Sequence, residues 1–154
     1  MSFVLGKDEE SIETKDFTTN LVLAWLKTNF TITSKRIVGY KPNTLLGLIP
    51  LGKVEVTYPL KNIASVGVST KFHVKRFIFG IILVLIGLNT LGDSFLTGLI
   101  LLLLGALPLL NSYTSTFNIS NNAGQSHLIE ISILEKSKVQ DFVNSVNKTI
   151  ADVA

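Results

Sequence analysis

The sequence contains no cysteine, one methionine, one tryptophan and two histidines among 154 residues. Without cysteine, disulfide bonds, zinc–thiolate sites and thiol nucleophiles are all excluded. The histidines, His73 and His127, leave little material for a metal site or a general base. No phosphate-binding loop or catalytic triad pattern is visible either. We therefore expect no enzyme activity, no cofactor and no metal.

Charged residues are also scarce, at 16% of the chain against roughly 25% in an average soluble domain. The shortage is local, because residues 77–110 contain 23 apolar residues, five glycines and one charged residue, Asp93. Outside this run the composition is close to that of an ordinary soluble domain. The net charge of +3 is mild and gives no sign of a nucleic-acid partner, and no small-molecule substrate is evident.

The hydrophobic insert is predicted to be a two-helix transmembrane hairpin over residues 74–111. A helix needs about 20 apolar residues to cross a bilayer, so the insert is too long for one span. A turn at residues 92–94 divides it into two segments of 19 residues, 74–92 and 93–111.

Four glycines support this division, because they lie symmetrically about the turn. In an antiparallel hairpin Gly80 would be level with Gly105, and Gly87 with Gly98. Small residues at matched depth let two membrane helices approach closely. We therefore predict that these glycines form the contact between the two helices.

Basic residues predict the orientation of the hairpin. The basic residues Lys61, Lys71, Lys75 and Arg76 precede the first predicted span or lie at its start, whereas the turn carries only Asp93. By the positive-inside rule this flank is cytoplasmic, and two spans return the chain to the same side. We expect a two-pass protein of the cell membrane with both termini and the domain in the cytoplasm. Candidates for contact with anionic lipid are Lys71, His73, Lys75 and Arg76, the alternative being that they only set this topology.

Short alternating runs between turn residues predict seven strands, five before the insert and two after it. The segment after the last strand changes to helical spacing, with one apolar stripe formed by Val139, Phe142, Val143, Val146, Ile150 and Val153. Residues 1–15 are predicted to be a polar N-terminal segment. Residues 16–73 and 112–154 are predicted to form one discontinuous domain, whose two parts the hairpin brings together.

Residues 45–51 are predicted to be a loop, and this loop is unusually apolar. Such a segment covers the core, dips into the bilayer or meets a neighbouring subunit. The candidate residues for a partner or membrane contact are Leu45, Leu46, Leu48, Ile49 and Leu51.

The order of seven short strands and one amphipathic helix resembles bacterial pleckstrin-homology-like (PH-like) domains. The residues that carry this resemblance are 30–37 (FTITSKRI) and 58–66 (YPLKNIASV). The resemblance implies an α+β, mainly β fold, in which seven strands form a partly open barrel and the C-terminal helix closes one end. The predicted transmembrane hairpin would be inserted between strands 5 and 6. The resemblance also implies a binding or assembly module.

Together these features predict a membrane-anchored cytoplasmic PH-like module with a binding or scaffolding role. Its expected partners are the lipid bilayer and either further copies of itself or another membrane protein. The alternative is a small pore or transporter-accessory subunit assembled through the hairpin. The almost entirely apolar hairpin sequence argues against an aqueous pore, which needs a polar stripe.

Overall fold

The computed structural model describes residues 3–45 and 49–153. Its main elements, in chain order, are β1 (Ser11–Thr18), β2 (Lys27–Thr33), β3 (Arg36–Leu45), β4 (Ile49–Pro59), β5 (Ile63–Phe72), α1 (Val74–Thr90), α2 (Phe95–Leu110), β6 (Tyr113–Asn121), β7 (Ser126–Ser132) and α3 (Lys136–Val153). Single turns of 3-10 helix at Leu60–Asn62 and Ile133–Glu135 connect β4 to β5 and β7 to α3.

The strands form two antiparallel sheets, one in the order β1-β2-β3-β4 and the other in the order β5-β6-β7. The PH-like barrel expected from the resemblance is therefore wrong, because no barrel closes within the described residues. The sheets separate between β4 and β5, which follow each other in the chain without pairing. Pro59 ends β4 and has no N–H to donate, and the 3-10 turn then redirects the chain. The fold is α+β, with two sheets and three helices.

β1 begins at Ser11, so the predicted polar N-terminal segment of residues 1–15 includes the start of the first strand. Residues 19–26 form a bent loop between β1 and β2. The Asn20 side-chain oxygen accepts hydrogen bonds from the backbone N–H groups of Val22 (2.9 Å) and Leu23 (2.8 Å). This Asx-type turn satisfies the backbone without a partner strand. Of the apolar residues of the loop, Leu26 is buried, whereas Trp25 is 71% exposed.

β3 continues through Pro42, although proline disfavours the interior of a strand. β2 pairs with β3 only as far as Tyr40, whereas β4 pairs with β3 along its whole length. Beyond Tyr40 one edge of β3 is therefore free, and a proline is tolerated at an edge because no ladder hydrogen bond is lost there.

The core lies between the inner faces of the two sheets and is covered by α3. Phe17, Phe30, Phe117 and Phe142 are fully buried. The rings of Phe17 and Phe117 both meet Phe142 edge-on, at centroid distances of 5.5 and 5.7 Å. Helix α3 buries most of its predicted apolar stripe, namely Val139, Phe142, Val143 and Val146. One hydrophobic cluster therefore contains residues from before and after the helical hairpin.

Gly39 makes room for one of these rings. It lies directly opposite Phe30 in the β2–β3 ladder. A methyl group at Gly39 would lie 2.3 Å from ring carbons of Phe30, so the ring occupies the space that any other residue would fill.

Helices α1 and α2 form an antiparallel hairpin, but the transmembrane prediction is wrong. The helices have 17 and 16 residues, because the turn takes up residues 91–94. At 1.5 Å per residue they reach about 25 and 24 Å, against roughly 30 Å of bilayer hydrocarbon. Among the described residues no helix has the length and apolar character needed to cross a membrane. The predicted two-pass topology and cell-membrane location depend on this hairpin spanning a membrane, so both predictions are wrong as well.

A buried carboxylate fastens the N-terminal turn to the first sheet. Glu9 Oε1 accepts hydrogen bonds from Arg36 Nε (2.8 Å) and from the Thr33 hydroxyl (2.7 Å). Its Oε2 accepts from the Gly6 N–H (2.6 Å) and from Arg36 Nη2 (3.1 Å). These contacts, the Arg36 hydrogen bond first among them, lower the pKa of Glu9 from 4.5 to about 2.

We expect Glu9→Gln to lower the free energy of unfolding by about 1.5–3 kcal/mol, because hydrogen bonds to a charged group are lost. A carboxyl with a lowered pKa stabilises the fold fully above its unfolded pKa of 4.5 and loses this contribution as the pH falls towards about 2. Urea unfolding at a series of pH values measures both effects. The exposed neighbour variant Glu10→Gln is the control, and an equal loss in both variants would contradict the assignment.

Candidate functional site

The four basic residues near the start of α1 do not form one surface. Arg76 Nη2 lies 2.8 Å from Glu130 Oε2, and His73 Nε2 lies 3.2 Å from Glu130 Oε1. Lys71 and Lys75 are exposed and have no ion pair in the part of the chain that the structure describes. His73 and Arg76 are therefore committed to a contact within the protein.

These contacts belong to a polar cluster, which we call the hairpin junction, formed by His73, Arg76, Asn111, Thr114 and Glu130. Arg76 Nη1 donates to the Asn111 carbonyl at 3.2 Å. The His73 N–H donates to the Ser112 carbonyl at 2.6 Å. The Asn111 side-chain oxygen accepts from the Leu21 N–H at 2.7 Å. The junction thus fixes both ends of the hairpin to the second sheet and to the loop of residues 19–26.

Burial keeps the His73 imidazole neutral at the junction. Desolvation is the largest cause of its lowered pKa; Arg76 and Lys71 lower it further, whereas Glu130 opposes them. As the tautomer protonated on Nε2, His73 can donate to Glu130 and to the Thr114 hydroxyl, which lies at 3.0 Å. The sequence did not point to Glu130, because it lies 54 residues from Arg76 and reads as an ordinary outward-facing residue of β7.

The structure brings the four predicted glycines together in two pairs. A methyl group at Gly80 would lie 2.9 Å from the Gly105 carbonyl oxygen, and one at Gly87 would lie 3.1 Å from the Gly98 carbonyl oxygen. At both pairs a methyl group would meet backbone atoms of the facing helix, and also a leucine side chain, Leu109 at Gly80 and Leu102 at Gly87. The helices therefore approach too closely at these positions for any residue larger than glycine.

Because the glycines turn inwards, the large side chains of the hairpin face outwards. Most of its aliphatic and aromatic residues are more than one-third exposed: Val74, Phe77, Ile78, Phe79, Ile81, Ile82, Leu85, Ile86, Leu88, Phe95, Leu96, Leu99, Ile100, Leu103, Leu104 and Leu110. We call this set the hairpin apolar surface. Asp93, in the turn, is the only charged residue between positions 77 and 110. An exposed apolar surface of this extent is a candidate interaction site.

The described residues of the predicted apolar loop lie in strands. Leu45 ends β3, while Ile49 and Leu51 belong to β4, so these residues lie at the tip of the β3–β4 pair. All three side chains are more than half exposed. Leu46 and Leu48 lie outside the described residues. The described part of this tip therefore adds no residue to the core.

A cleft opens between the inner faces of the two sheets, on the side that α3 does not cover. It consists of two adjoining cavities of about 420 and 370 Å³, which share Lys41 and Val54 in their walls. The larger reaches Arg76 and Glu130 of the hairpin junction, and the smaller reaches Tyr58 and His127. In residues 3–45 and 49–153 no group of three His, Asp or Glu side chains could hold a metal ion.

We expect Gly87→Ala to destabilise the protein by about 1–3 kcal/mol, although alanine is the better helix former. Its methyl group would lie 2.9 Å from the backbone nitrogen of Leu102, so the helices must move apart. At Gly92, in the turn, a methyl group would meet nothing within 4 Å. Gly92→Ala is the matched control and should change the free energy of unfolding, measured in urea, by less than about 0.5 kcal/mol.

We expect the stability of the protein to fall as the pH drops below 6.5, in part because of His73. A histidine with a lowered pKa in the folded state binds a proton in the unfolded state first, so unfolding is favoured as the pH falls. Thermal unfolding from pH 8 to pH 5 measures this dependence. His73→Gln should reduce the slope, whereas equal slopes in wild type and His73→Gln would contradict the assignment.

Comparison with known proteins identifies no relative of this chain. No protein-family model, no characterised protein and no solved structure matches the chain. The resemblance to PH-like domains, carried by residues 30–37 and 58–66, thus has no support from a family match. Together with the two separate sheets, this makes the family assignment wrong.

Proposed function

We propose that this chain is a non-catalytic assembly module that self-associates through the hairpin apolar surface. Two copies would place their hairpins face to face and form a four-helix bundle, with the β-sheets held outside it. The observation that carries the proposal is the set of sixteen exposed apolar side chains on α1 and α2. These side chains lie on the outside of the hairpin, away from the glycine contact between α1 and α2.

The size of the surface fits an interface with one further chain. At roughly 80 Å² each, about half of a large side chain's area, sixteen residues expose on the order of 1,200 Å² of apolar surface. The largest apolar patch on a typical monomer covers about 300–600 Å². If half of the surface faces one partner, about 600 Å² is buried on each chain, or about 1,200 Å² in total, which is the lower end of the range for stable complexes.

The chemistry of the surface favours a second copy as that partner. A complementary partner must be uncharged and apolar over the length of two helices of 17 and 16 residues. The hairpin of another copy has this surface, and a two-fold axis would match each patch with itself. Because the glycines are used within each hairpin, contacts between copies would rely on interlocking Leu, Ile and Phe side chains.

A pore built from these hairpins has less support. The polar residues of the hairpin gather at its turn, where Asn89, Thr90, Asp93, Ser94 and Thr97 lie close together in the chain. They do not form a stripe along the helices, so an assembly of these surfaces has no polar lining.

The experiment is light scattering coupled to size exclusion, over a range of protein concentrations and without detergent or lipid. Wild type should show twice the 16.8 kDa mass of the chain. Leu85→Lys combined with Leu103→Lys places charges at two of the most exposed positions of the surface, 61% and 63%, and should give a monomer. Leu134→Lys, at a 76% exposed site after β7, is the matched control and should remain a dimer.

Two results would overturn the proposal. The first is a wild-type monomer at every concentration. The second is a wild-type chain that associates only with phosphatidylcholine vesicles, which would make lipid and not a second copy the occupant of the surface. Circular dichroism of the double variant must match wild type, so that loss of the dimer is not loss of the fold.

A further inference from the structure

Two polar residues occupy inward-facing positions of the first sheet, next to the cleft between the sheets. Packing of the hydrophobic core does not explain them. Along β3 the inner positions are Ile37, Gly39 and Lys41, since side chains alternate between the faces of a strand. On β2, Thr28 lies two residues before the core residue Phe30 and so faces the same way. The apolar inner face therefore ends in a hydroxyl and an ammonium group.

Neither group is satisfied within the part of the chain that the structure describes. Thr28 is fully buried, and its Oγ1 has no hydrogen-bond partner. Lys41 has no ion-pair partner among the described residues. An unsatisfied buried hydroxyl costs about 1–3 kcal/mol, so native proteins keep few of them. Both residues line the larger cavity of the cleft.

Among the described charged residues that line the larger cavity, one has no partner of opposite charge. Arg76 and Glu130 also line the larger cavity, but they form an ion pair with each other at 2.8 Å. Lys41 thus remains as the uncompensated charge among the lining residues. A ligand with one negative charge would complement it.

The apolar lining of the cleft is concentrated in the smaller cavity, whose walls include Val54, Val56, Ile63 and Ile119. The larger cavity is more polar, because Thr19, Asn43 and Thr44 line it together with Lys41 and Thr28. At the far end the rings of Tyr58 and His127 meet at a centroid distance of 5.3 Å. The combined volume is within the range of small-molecule sites, which are mostly apolar with a few placed polar groups.

We infer that this cleft binds a small amphipathic anion, a single carboxylate carried on an aliphatic chain. The carboxylate would accept hydrogen bonds from the Lys41 ammonium group and the Thr28 hydroxyl, and the chain would lie along Val56 and Ile119. Carboxylates of this kind include short fatty acids and the C-terminal residue of an apolar peptide. This inference is independent of self-association through the hairpin.

The experiment is calorimetric titration of the full-length protein with octanoate. Octanol, which has the chain without the charge, and acetate, which has the charge without the chain, should both bind much more weakly. N-acetyl-leucine, titrated in parallel, distinguishes a peptide carboxylate from a fatty acid by which of the two binds more tightly. No binding of either carboxylate to wild type would overturn the inference.

Two variants test the polar end of the site. Lys41→Gln should weaken octanoate binding about tenfold, because a charge-assisted hydrogen bond is lost. Lys53→Gln removes the same charge from a neighbouring strand, at an exposed position, and is the matched control. Equal weakening by both variants would show that only the overall charge matters and would contradict the site.

Thr28→Val separates binding from folding. Removing an unsatisfied buried hydroxyl should raise the melting temperature of the free protein while it weakens octanoate binding. A variant that is less stable, or that binds octanoate as wild type does, would contradict the role of this hydroxyl. The double variant at Leu85 and Leu103 should bind octanoate unchanged; a loss there would place the ligand on the hairpin apolar surface and overturn the inference.

Discussion

The pairing of β5 with β6 is the constraint on which the rest of the molecule depends. The two strands pair from Ile63 and Asn121 to Phe72 and Tyr113, and the hairpin begins and ends immediately beyond that last pair. Just beyond it, the His73–Ser112 hydrogen bond and the ion pairs of Glu130 hold the two ends of the hairpin together. A strand ladder thus sets the distance between the helix ends, and the glycine contacts maintain this close approach along α1 and α2.

This arrangement has a consequence for the surface of the protein. Glycine lets the backbones approach closely, so few large side chains fit at the inner contact of the hairpin. Most of its leucine, isoleucine and phenylalanine side chains then face outwards, and of these Phe77 meets the ring of Phe72 in β5 at a centroid distance of 5.3 Å. A hairpin mounted rigidly at its base and apolar on its outside is suited to association, because little conformational entropy is lost when it binds.

Local patterns predicted the parts of the fold that depend on neighbouring residues. The mirrored glycines located the hairpin turn, and alternation located β6 and β7, because both follow from the period of one element. The division into two sheets depends on how distant strands pair, and a PH-like barrel was inferred where the strands after Pro59 separate. Residue counts overestimated the helix lengths, since the apolar run includes turn residues that a helix does not use. Glu130 could not be found from the sequence, because its partners lie more than 50 residues away.

The inner face of the first sheet is a second place where local sequence patterns do not predict the structure. Alternation identifies inward positions but does not say whether the space in front of them is filled. At Ile37 that space is core, whereas four pairs further along the same ladder Lys41 and Val54 face an open cleft. α3 covers the core but does not line this cleft, and the second sheet diverges there. A lysine at an inner position is costly in a closed core and acceptable at such an opening. Lys41 therefore lies where the two sheets are no longer in contact. The spacing of residues in the sequence alone does not predict this position.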